Sequence, residues 1–457
     1  MELFGTAGIR GDVRTKVTPE LALAVGRAAG ADGDEFVLGR DGRTTGAGLA
    51  DAMAAGLTSA GADVVRVGQV PTPTVGFASR GRRGVVITAS HNPPTDNGIK
   101  LFADGQEYDD EAEATVEERV AAEPDPLAWD KWGTRTEADL LPDYCGAVAD
   151  YAEEYGASLD GLEIAVDCGN GMASLATPQV LRELGAEVRA LNANVDGHFP
   201  GRESKPTPET LRDLRSFVAD GGAELGIGHD GDADRIVVVD ADGDVVHEDT
   251  VVAILAEHYV RAADAGDPVV VTTPNASGRI DERVEAAGGR VERVRLGALH
   301  VGIAAARRAG TDETSVAFAA EPWKHIHTAF GGWIDGVASA AVFARLVAET
   351  GLDALRDPVT ERPYRKGDVR CPDDEKAAAM DLLGERLPAA FPDADVATEH
   401  GVRLSFADGS WVLVRPSGTE PYLRVYVESD DVDDVLETVT EVAGAAVESV
   451  EEPESSV

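Results

Sequence analysis

The stretch Glu35-Phe-Val-Leu-Gly-Arg-Asp-Gly-Arg43 begins a pattern that the chain repeats twice more, and that repetition decides the fold. A short apolar run ending in a Gly-bearing polar segment reads as a buried strand followed by a loop. The second copy opens with Glu163-Ile-Ala-Val-Asp-Cys-Gly-Asn-Gly171 and the third with Pro268-Val-Val-Val-Thr-Thr-Pro-Asn-Ala276. An Ala/Leu-rich, helix-like stretch follows each opening. Then come Gly and a second strand: Gly61-Ala-Asp-Val-Val-Arg-Val67, Gly185-Ala-Glu-Val-Arg-Ala-Leu191 and Gly289-Arg-Val-Glu-Arg-Val-Arg-Leu296. A third apolar strand closes each copy, in Gly84-Val-Val-Ile-Thr-Ala-Ser90, Glu224-Leu-Gly-Ile-Gly-His-Asp230 and Ser315-Val-Ala-Phe-Ala-Ala-Glu321.

Strands separated by helices predict right-handed crossovers, and so three related α/β domains with mixed, largely parallel sheets. After about residue 365 the pattern changes to a smaller α+β unit. Residues 373–390 and 431–449 read as helices, and 401–415 and 421–428 as strands around Arg415-Pro-Ser-Gly-Thr-Glu420. The expected domains are 1–140, 141–250, 251–365 and 366–449, followed by an acidic tail at 450–457.

The composition limits the function. Of 457 residues 43% are apolar, enough for real cores, and only 5% are aromatic. Lys and Arg total 41 against 83 Asp and Glu, a net charge of −42. Such a surface excludes nucleic acid and anionic lipid as partners, and the apolar fraction excludes disorder. Only seven of the basic residues are Lys. At molar salt the Debye length falls to about 3 Å, so repulsion among surface carboxylates is screened. The composition therefore points to a protein of a halophile, a salt-accumulating organism. The three cysteines, Cys145, Cys168 and Cys371, are far apart and form neither a zinc motif nor a disulfide framework. No apolar signal core or membrane-length run occurs, so the cytoplasm is the expected compartment.

In sheets of this kind ligands bind beyond the carboxyl ends of the strands, so the residues after each third strand are the first candidates. After the second copy's third strand stand Asp230, Asp232 and Asp234, three carboxylates able to converge on a hard cation such as Mg²⁺. Composition alone yields that spacing about three times in so acidic a chain. Indeed Asp240-Ala-Asp242-Gly-Asp244 follows at once, and reads instead as a hairpin turn. Gly226-Ile-Gly-His-Asp-Gly231 matches a dinucleotide fingerprint only in spacing, because three Asp would repel a pyrophosphate.

Ser90 lies in Thr88-Ala-Ser-His-Asn-Pro-Pro-Thr-Asp-Asn-Gly-Ile-Lys100. A lone Ser there is usually a cap or turn residue. With His91 and Lys100 close by, the same Ser is able to accept a phosphoryl group. Arg415-Pro-Ser-Gly-Thr-Glu-Pro-Tyr-Leu-Arg424 places guanidinium, hydroxyl and backbone N–H groups in one turn, as a phosphate clamp would, and as an ordinary Ser-Gly turn also would. Glu321 and His325 flank Pro322-Trp323-Lys324, where a carboxylate could accept sugar hydroxyl protons and the Trp could stack on a ring or simply pack.

Assembled, these loops resemble those of the α-D-phosphohexomutase superfamily, which includes phosphoglucomutase, phosphomannomutase and phosphoglucosamine mutase. Phe4-Gly-Thr-Ala-Gly-Ile-Arg-Gly11 is similar to the family's opening loop, Thr88-Ala-Ser-His-Asn-Pro93 to its phosphoserine loop, Asp230-Gly-Asp-Ala-Asp-Arg235 to its metal loop and Arg415-Pro-Ser-Gly-Thr-Glu-Pro421 to its phosphate loop. The resemblance implies four domains around one cleft and a phosphosugar mutase acting through a phosphoserine enzyme and a sugar bisphosphate. It implies that Ser90 carries the phosphoryl group and that Asp230, Asp232, Asp234 and the Ser90 phosphate hold Mg²⁺. By the same resemblance Arg10, His91 and Arg235 contact that phosphate, and Lys100 is the general acid/base. Arg415, Ser417, Gly418 and Thr419, with Arg424, grip the phosphate that is not transferred, and a sugar 1,6-bisphosphate is the implied activator.

The sugar loop departs from the family pattern Gly-Glu-x-Ser-Gly-His. Here Ala320-Glu321-Pro-Trp323-Lys324-His325 keeps Glu321 and His325, while Trp and Lys replace Ser and Gly. Glu321, Trp323, Lys324 and His325 are the expected sugar contacts, and they leave hexose, hexosamine and pentose phosphates as candidate substrates. Two other readings are a non-catalytic sugar-phosphate sensor, which would not need Ser90, Lys100 and the Asp set together, and a plain acidic cation binder, which would not need the Arg415–Thr419 turn. The oligomeric state is not legible in the sequence.

The charge generates its own test. The melting temperature should rise from low to molar KCl as carboxylate repulsion is screened; a melting temperature indifferent to salt would remove the high-salt reading.

Overall fold

The computed structural model describes residues 3–5, 8–418 and 420–451. They form two compact units, Met1–Val251 with Ala317–Arg356, and Val252–Val316 with Asp357–Val457. No helix among the described residues is long and apolar enough to cross a membrane.

The first unit holds two sheets. In the larger one the strands run in the order Ile9–Asp12, Asp96–Ala103, Arg83–Ile87, Glu35–Arg40, Asp63–Gln69 and Arg135–Glu137. Glu35–Arg40 is parallel to both of its neighbours. Its run Phe36-Val37-Leu38 is fully or almost fully buried, as a strand covered on both faces must be. Asp96–Ala103 is antiparallel to Arg83–Ile87 because the loop 88–95 between them is too short for a crossover. Low aromatic content lets the covering helices approach closely. A Cβ on Gly26 of helix Pro19–Ala29 would meet the Met53 carbonyl at 2.5 Å, across the contact with helix Gly46–Ser59.

The second sheet orders Val237–Val239, Leu225–Gly228, Glu163–Asp167 and Glu187–Leu191, parallel except for the first. Asp240-Ala-Asp242-Gly-Asp244 is the predicted hairpin turn: the Asp240 N–H donates to the Asp244 carbonyl at 2.9 Å, and Val239 bridges Val245. Helix Gly336–Thr350, apolar nearly all round, packs on Leu141–Glu153. Asp335 caps its start, accepting from the Ala338 N–H at 2.8 Å, the Tyr144 hydroxyl at 2.8 Å and the Trp333 indole at 2.9 Å.

In the second unit Asp267–Thr272 and Arg290–Arg293 pair in parallel, the opening of the third copy. That copy's third strand, Thr314–Glu321, begins in this unit and ends in the first. The remainder is an antiparallel sheet ordered Tyr364–Arg370, Tyr422–Glu428, Trp411–Pro416, Val402–Ser405 and Asp395–Ala397. Helices Lys376–Ala390 and Val432–Glu451 cover it over a core including Leu383, Leu387, Val414, Val425 and Val439. The single strand expected over 401–415 is two strands, because residues 406–410 form a turn closed by Phe406 N–H to the Ser410 carbonyl, with Gly409 left-handed. Residues 452–457 of the expected tail lie outside the described residues.

A buried ion pair ties this sheet to the third copy. Glu428, fully buried, accepts from the Ser277 hydroxyl at 2.7 Å, Arg279 at 3.1 Å and the Trp411 indole at 3.0 Å. Glu428→Leu would take the carboxylate away from the buried Arg279 cation, and should cost about 3–5 kcal/mol. The check is the urea midpoint at unchanged slope, and a midpoint equal to the parent's would show that the pair holds nothing.

Candidate functional site

Two loops of the first unit meet at the carboxyl ends of their third strands. One follows Arg83–Ile87 and carries Ser90, and the other follows Leu225–Gly228 and carries the three Asp. Ser90 is fully buried and left-handed, with φ 51°, a conformation costing about 1–3 kcal/mol for a residue with a Cβ. Its hydroxyl donates to Asp230 Oδ2 at 2.6 Å and lies 3.3 Å from His91 Nδ1. The close approach depends on Gly231, where a Cβ would stand 2.7 Å from the Ser90 carbonyl oxygen.

Asp230, Asp232 and Asp234 are buried and offer carboxylate oxygens within 4.8 Å of one another. Burial, Asp234 and Asp232 together push the Asp230 carboxyl well above the usual range. Burial works against the charge of Asp234 too, but Lys100 and Arg235 outweigh it and hold that carboxyl below the usual range. One oxygen each of Asp232 and Asp234, both Oδ1, is buried without a hydrogen-bond partner. Buried orphan carboxylate oxygens are costly. An all-oxygen, hard donor set with two unfilled acceptors fits a divalent cation such as Mg²⁺.

Cations surround this cluster. Lys100 Nζ, 3% exposed, donates to Asp234 at 2.8 Å and lies 3.5 Å from Glu107. Burial opposes its charge, but Asp234, Glu107 and Asp232 win and keep the ammonium above its ordinary value. Arg235 Nε stands 3.8 Å from Asp230 and 3.7 Å from Asp234. Burial, then Arg235 and Arg10, push the His91 imidazole down to about 3, so it faces the site neutral. Thus His91 meets Ser90, Lys100 and Arg235 meet the Asp cluster, and Arg10 lies near enough for its charge to act on both His91 and Lys100.

The sugar loop is a hairpin in which Glu321 pairs with Lys324 across Pro322-Trp323. Trp323 takes φ 69°, the left-handed conformation the tight turn requires. Its ring is partly buried against the cluster holding Val237 and Val239. Lys324 Nζ is 3.4 Å from Glu321 Oε2, and its backbone bridges Arg235. His325 is 1% exposed, with Nδ1 at 3.0 Å from the Ser339 hydroxyl, and burial pushes its pKa down to about 3.

In the second unit Arg415 donates to the Tyr426 hydroxyl at 2.9 Å, while Ser417 N–H donates to the Tyr422 carbonyl at 3.0 Å. Arg424 is neutralised locally, 2.5 Å from Glu420 and 3.4 Å from Asp368. Gly418 is exposed, and Thr419 lies outside the described residues, as do Thr6 and Ala7 of the opening loop.

Sequence reasoning missed the residues that hold these loops. Arg43, 1% exposed, donates to the carbonyls of Ser90, Asn92, Pro93 and Asp96 at 2.6–2.9 Å, and to Asp41 at 3.0 Å. Arg202 does the same for the metal loop, bonding Asp167 at 3.0 Å and the His229 carbonyl at 2.5 Å. Thr72 binds Asp232 through its hydroxyl at 2.6 Å and its N–H at 3.0 Å. The available signal was the first strand of each copy, whose polar ends carry Asp41 and Asp167 at the same sheet edge as the third-strand loops.

Family models for the phosphoglucomutase/phosphomannomutase domains match along the whole chain: α/β/α domain I at residues 1–126, domain II at 142–243, domain III at 247–363 and the C-terminal domain at 368–445. The chain is 42% identical over 439 residues to a phosphopentomutase of Thermococcus kodakarensis, covering 94% of each. It is 42% identical over 460 residues to a probable phosphoglucosamine mutase of Methanopyrus kandleri, covering 98% of each. A solved phosphoglucomutase/phosphomannomutase family protein of Burkholderia thailandensis superposes with a TM-score of 0.86 at 26% identity, over 99% of this chain and 98% of that one. Four domain matches in order, over loops whose geometry joins a Ser hydroxyl to an acidic triad, place the chain in the phosphoglucomutase/phosphomannomutase family of the α-D-phosphohexomutase superfamily, as an isomerase that moves a phosphoryl group between hydroxyls of a sugar phosphate.

Proposed function

We propose that the substrate is a hexose or hexosamine phosphate and that Ser90 is the residue phosphorylated in the working enzyme. The observation that carries the Ser90 assignment is the 2.6 Å hydrogen bond from its hydroxyl to Asp230 inside the acidic triad, and the likeness to a probable phosphoglucosamine mutase supports the hexosamine substrate. Asp230, Asp232 and Asp234, with the Ser90 phosphate, are the residues that would hold Mg²⁺. When bound, the ion offsets charge on the phosphoryl oxygens.

The chain's own groups divide the remaining work. The bond from Ser90 Oγ to phosphorus breaks as a bond from the sugar hydroxyl oxygen to phosphorus forms, and the hydroxyl proton passes to a base. Lys100 is proposed to exchange that proton, a role that would need a cation held by Asp232 and Asp234 to offset the carboxylate charge that otherwise keeps its ammonium protonated, and Arg10, His91 and Arg235 to orient the phosphoryl oxygens. The second half-reaction reverses the step with the other phosphate of the sugar bisphosphate, restoring phosphorylated Ser90. Glu321, Trp323, Lys324 and His325 are proposed to choose the sugar. Arg415, Ser417, Gly418 and Thr419, with Arg424, are proposed to hold the phosphate that stays. A sugar 1,6-bisphosphate as activator and a cytoplasm rich in salt belong to the same proposal, as do domains bounded near 140, 250 and 366. The 42% identity to a phosphopentomutase supports a second reading, a phosphopentose substrate handled by the same chemistry.

Intact mass before and after phosphatase treatment should reveal one phosphate in part of the population, absent from Ser90→Ala. That variant should lose mutase activity by about 10³-fold or more; full activity in it would end the phosphoenzyme mechanism. Asp232→Ala should abolish Mg²⁺-dependent turnover, and unchanged dependence would remove the metal assignment. Across hexose, hexosamine and pentose 1-phosphates, faster turnover of a pentose would replace the leading substrate by the second.

A further inference from the structure

Lys376 is one of seven lysines in a chain otherwise furnished with Arg, and it occupies an electrostatically poor place. It is the first residue of helix Lys376–Ala390, where the macrodipole is positive and disfavours a cation. It is also 9% exposed. Its ammonium has three donors, and three acceptors meet them: the Ser417 carbonyl at 2.6 Å, the Glu420 carbonyl at 2.7 Å and the Asp373 carboxylate at 2.6 Å.

Both carbonyls belong to the turn that follows Arg415. In a trans peptide the C=O and N–H point to opposite sides. Holding the Ser417 carbonyl on Lys376 therefore turns the Gly418 N–H away from Lys376. Gly418 is exposed, and a Cβ there would meet nothing within 4 Å, so this side of the turn is open to an approaching group. The Glu420 carbonyl precedes Pro421, which has no N–H to contribute; it accepts from Lys376 at 2.7 Å and from the Tyr422 N–H at 2.8 Å, so Lys376 shares the holding of the far end of the turn.

We propose that Lys376 is a positioning residue for the substrate phosphate: it pins the Ser417 and Glu420 carbonyls from behind, so that the turn presents the Gly418 N–H outward to the phosphate that is not transferred. This rests on the reading of residues 415–419 as the phosphate-gripping turn. The three donors of Lys376 are all taken, so its proposed part is to hold the turn and not to bind the phosphate itself.

Kinetics on the full-length enzyme with a sugar 1-phosphate separate the two ideas. Lys376→Met should raise KM by about tenfold with kcat within about twofold, since the lost interaction serves binding in ground and transition states alike. Lys376→Arg, whose N–H groups still reach the carbonyls, should restore most of the affinity. Phosphate occupancy at Ser90, by intact mass, should stay at the parent's level in both. Lys376→Gln replaces the Met variant, with the same expected rise, if melting shows that the latter does not fold. A normal KM in the uncharged variants, beside a raised KM in Ser417→Ala, overturns the role of Lys376 alone. A normal KM in Ser417→Ala and Arg415→Gln as well overturns the phosphate-turn reading, and the role of Lys376 with it.

Discussion

The site depends on one contact between two copies of the same repeat, the Ser90 hydroxyl against Asp230. Three carboxylates gathered in a buried space repel one another, and the elements around them offset that cost. Gly231 leaves room for the loops to touch. Arg43 and Arg202 spend their donors on loop carbonyls, which fixes the two loops from behind without neutralising the acids in front. Thr72 crosses from the first copy to hold Asp232, so the triad is positioned by residues of both copies.

Electrostatics explains how a chain of charge −42 handles an anionic substrate. The general acidity sits on the surface, where salt screens it. The site gathers cations, in Lys100, Arg235 and the nearby Arg10 and Lys324, around three acids that leave two oxygens unfilled. The proposed chemistry thus lies not in the overall charge but in the few basic residues and one of two adjacent Asp triplets. The second triplet shows how little spacing decides by itself. Asp240, Asp242 and Asp244 share the same intervals, but their backbone is consumed by a hairpin turn.

The repeat made much of this legible. Three strand–helix units and the rule that ligands gather beyond strand ends pointed to the loops of Ser90 and Asp230, which the structure brings into contact. Arg43, Thr72 and Arg202 were not legible, because their roles arise from contacts between residues distant in sequence. The break at 406–410 was missed because Phe406 and Trp411 flank the turn with apolar side chains that continue the strand pattern. Trp323 was read as a candidate stacking platform, but one residue alone could not reveal that the hairpin would demand a left-handed conformation from it.

The central claim is that phosphorylated Ser90 and the acidic triad share one metal. Phosphorus NMR of the purified enzyme tests this most directly. Stoichiometric Mn²⁺, a paramagnetic stand-in for Mg²⁺, should broaden a single phosphoserine resonance in the parent and leave it sharp in Asp232→Asn. A phosphoserine line that stays sharp in the parent at saturating Mn²⁺ would contradict the account.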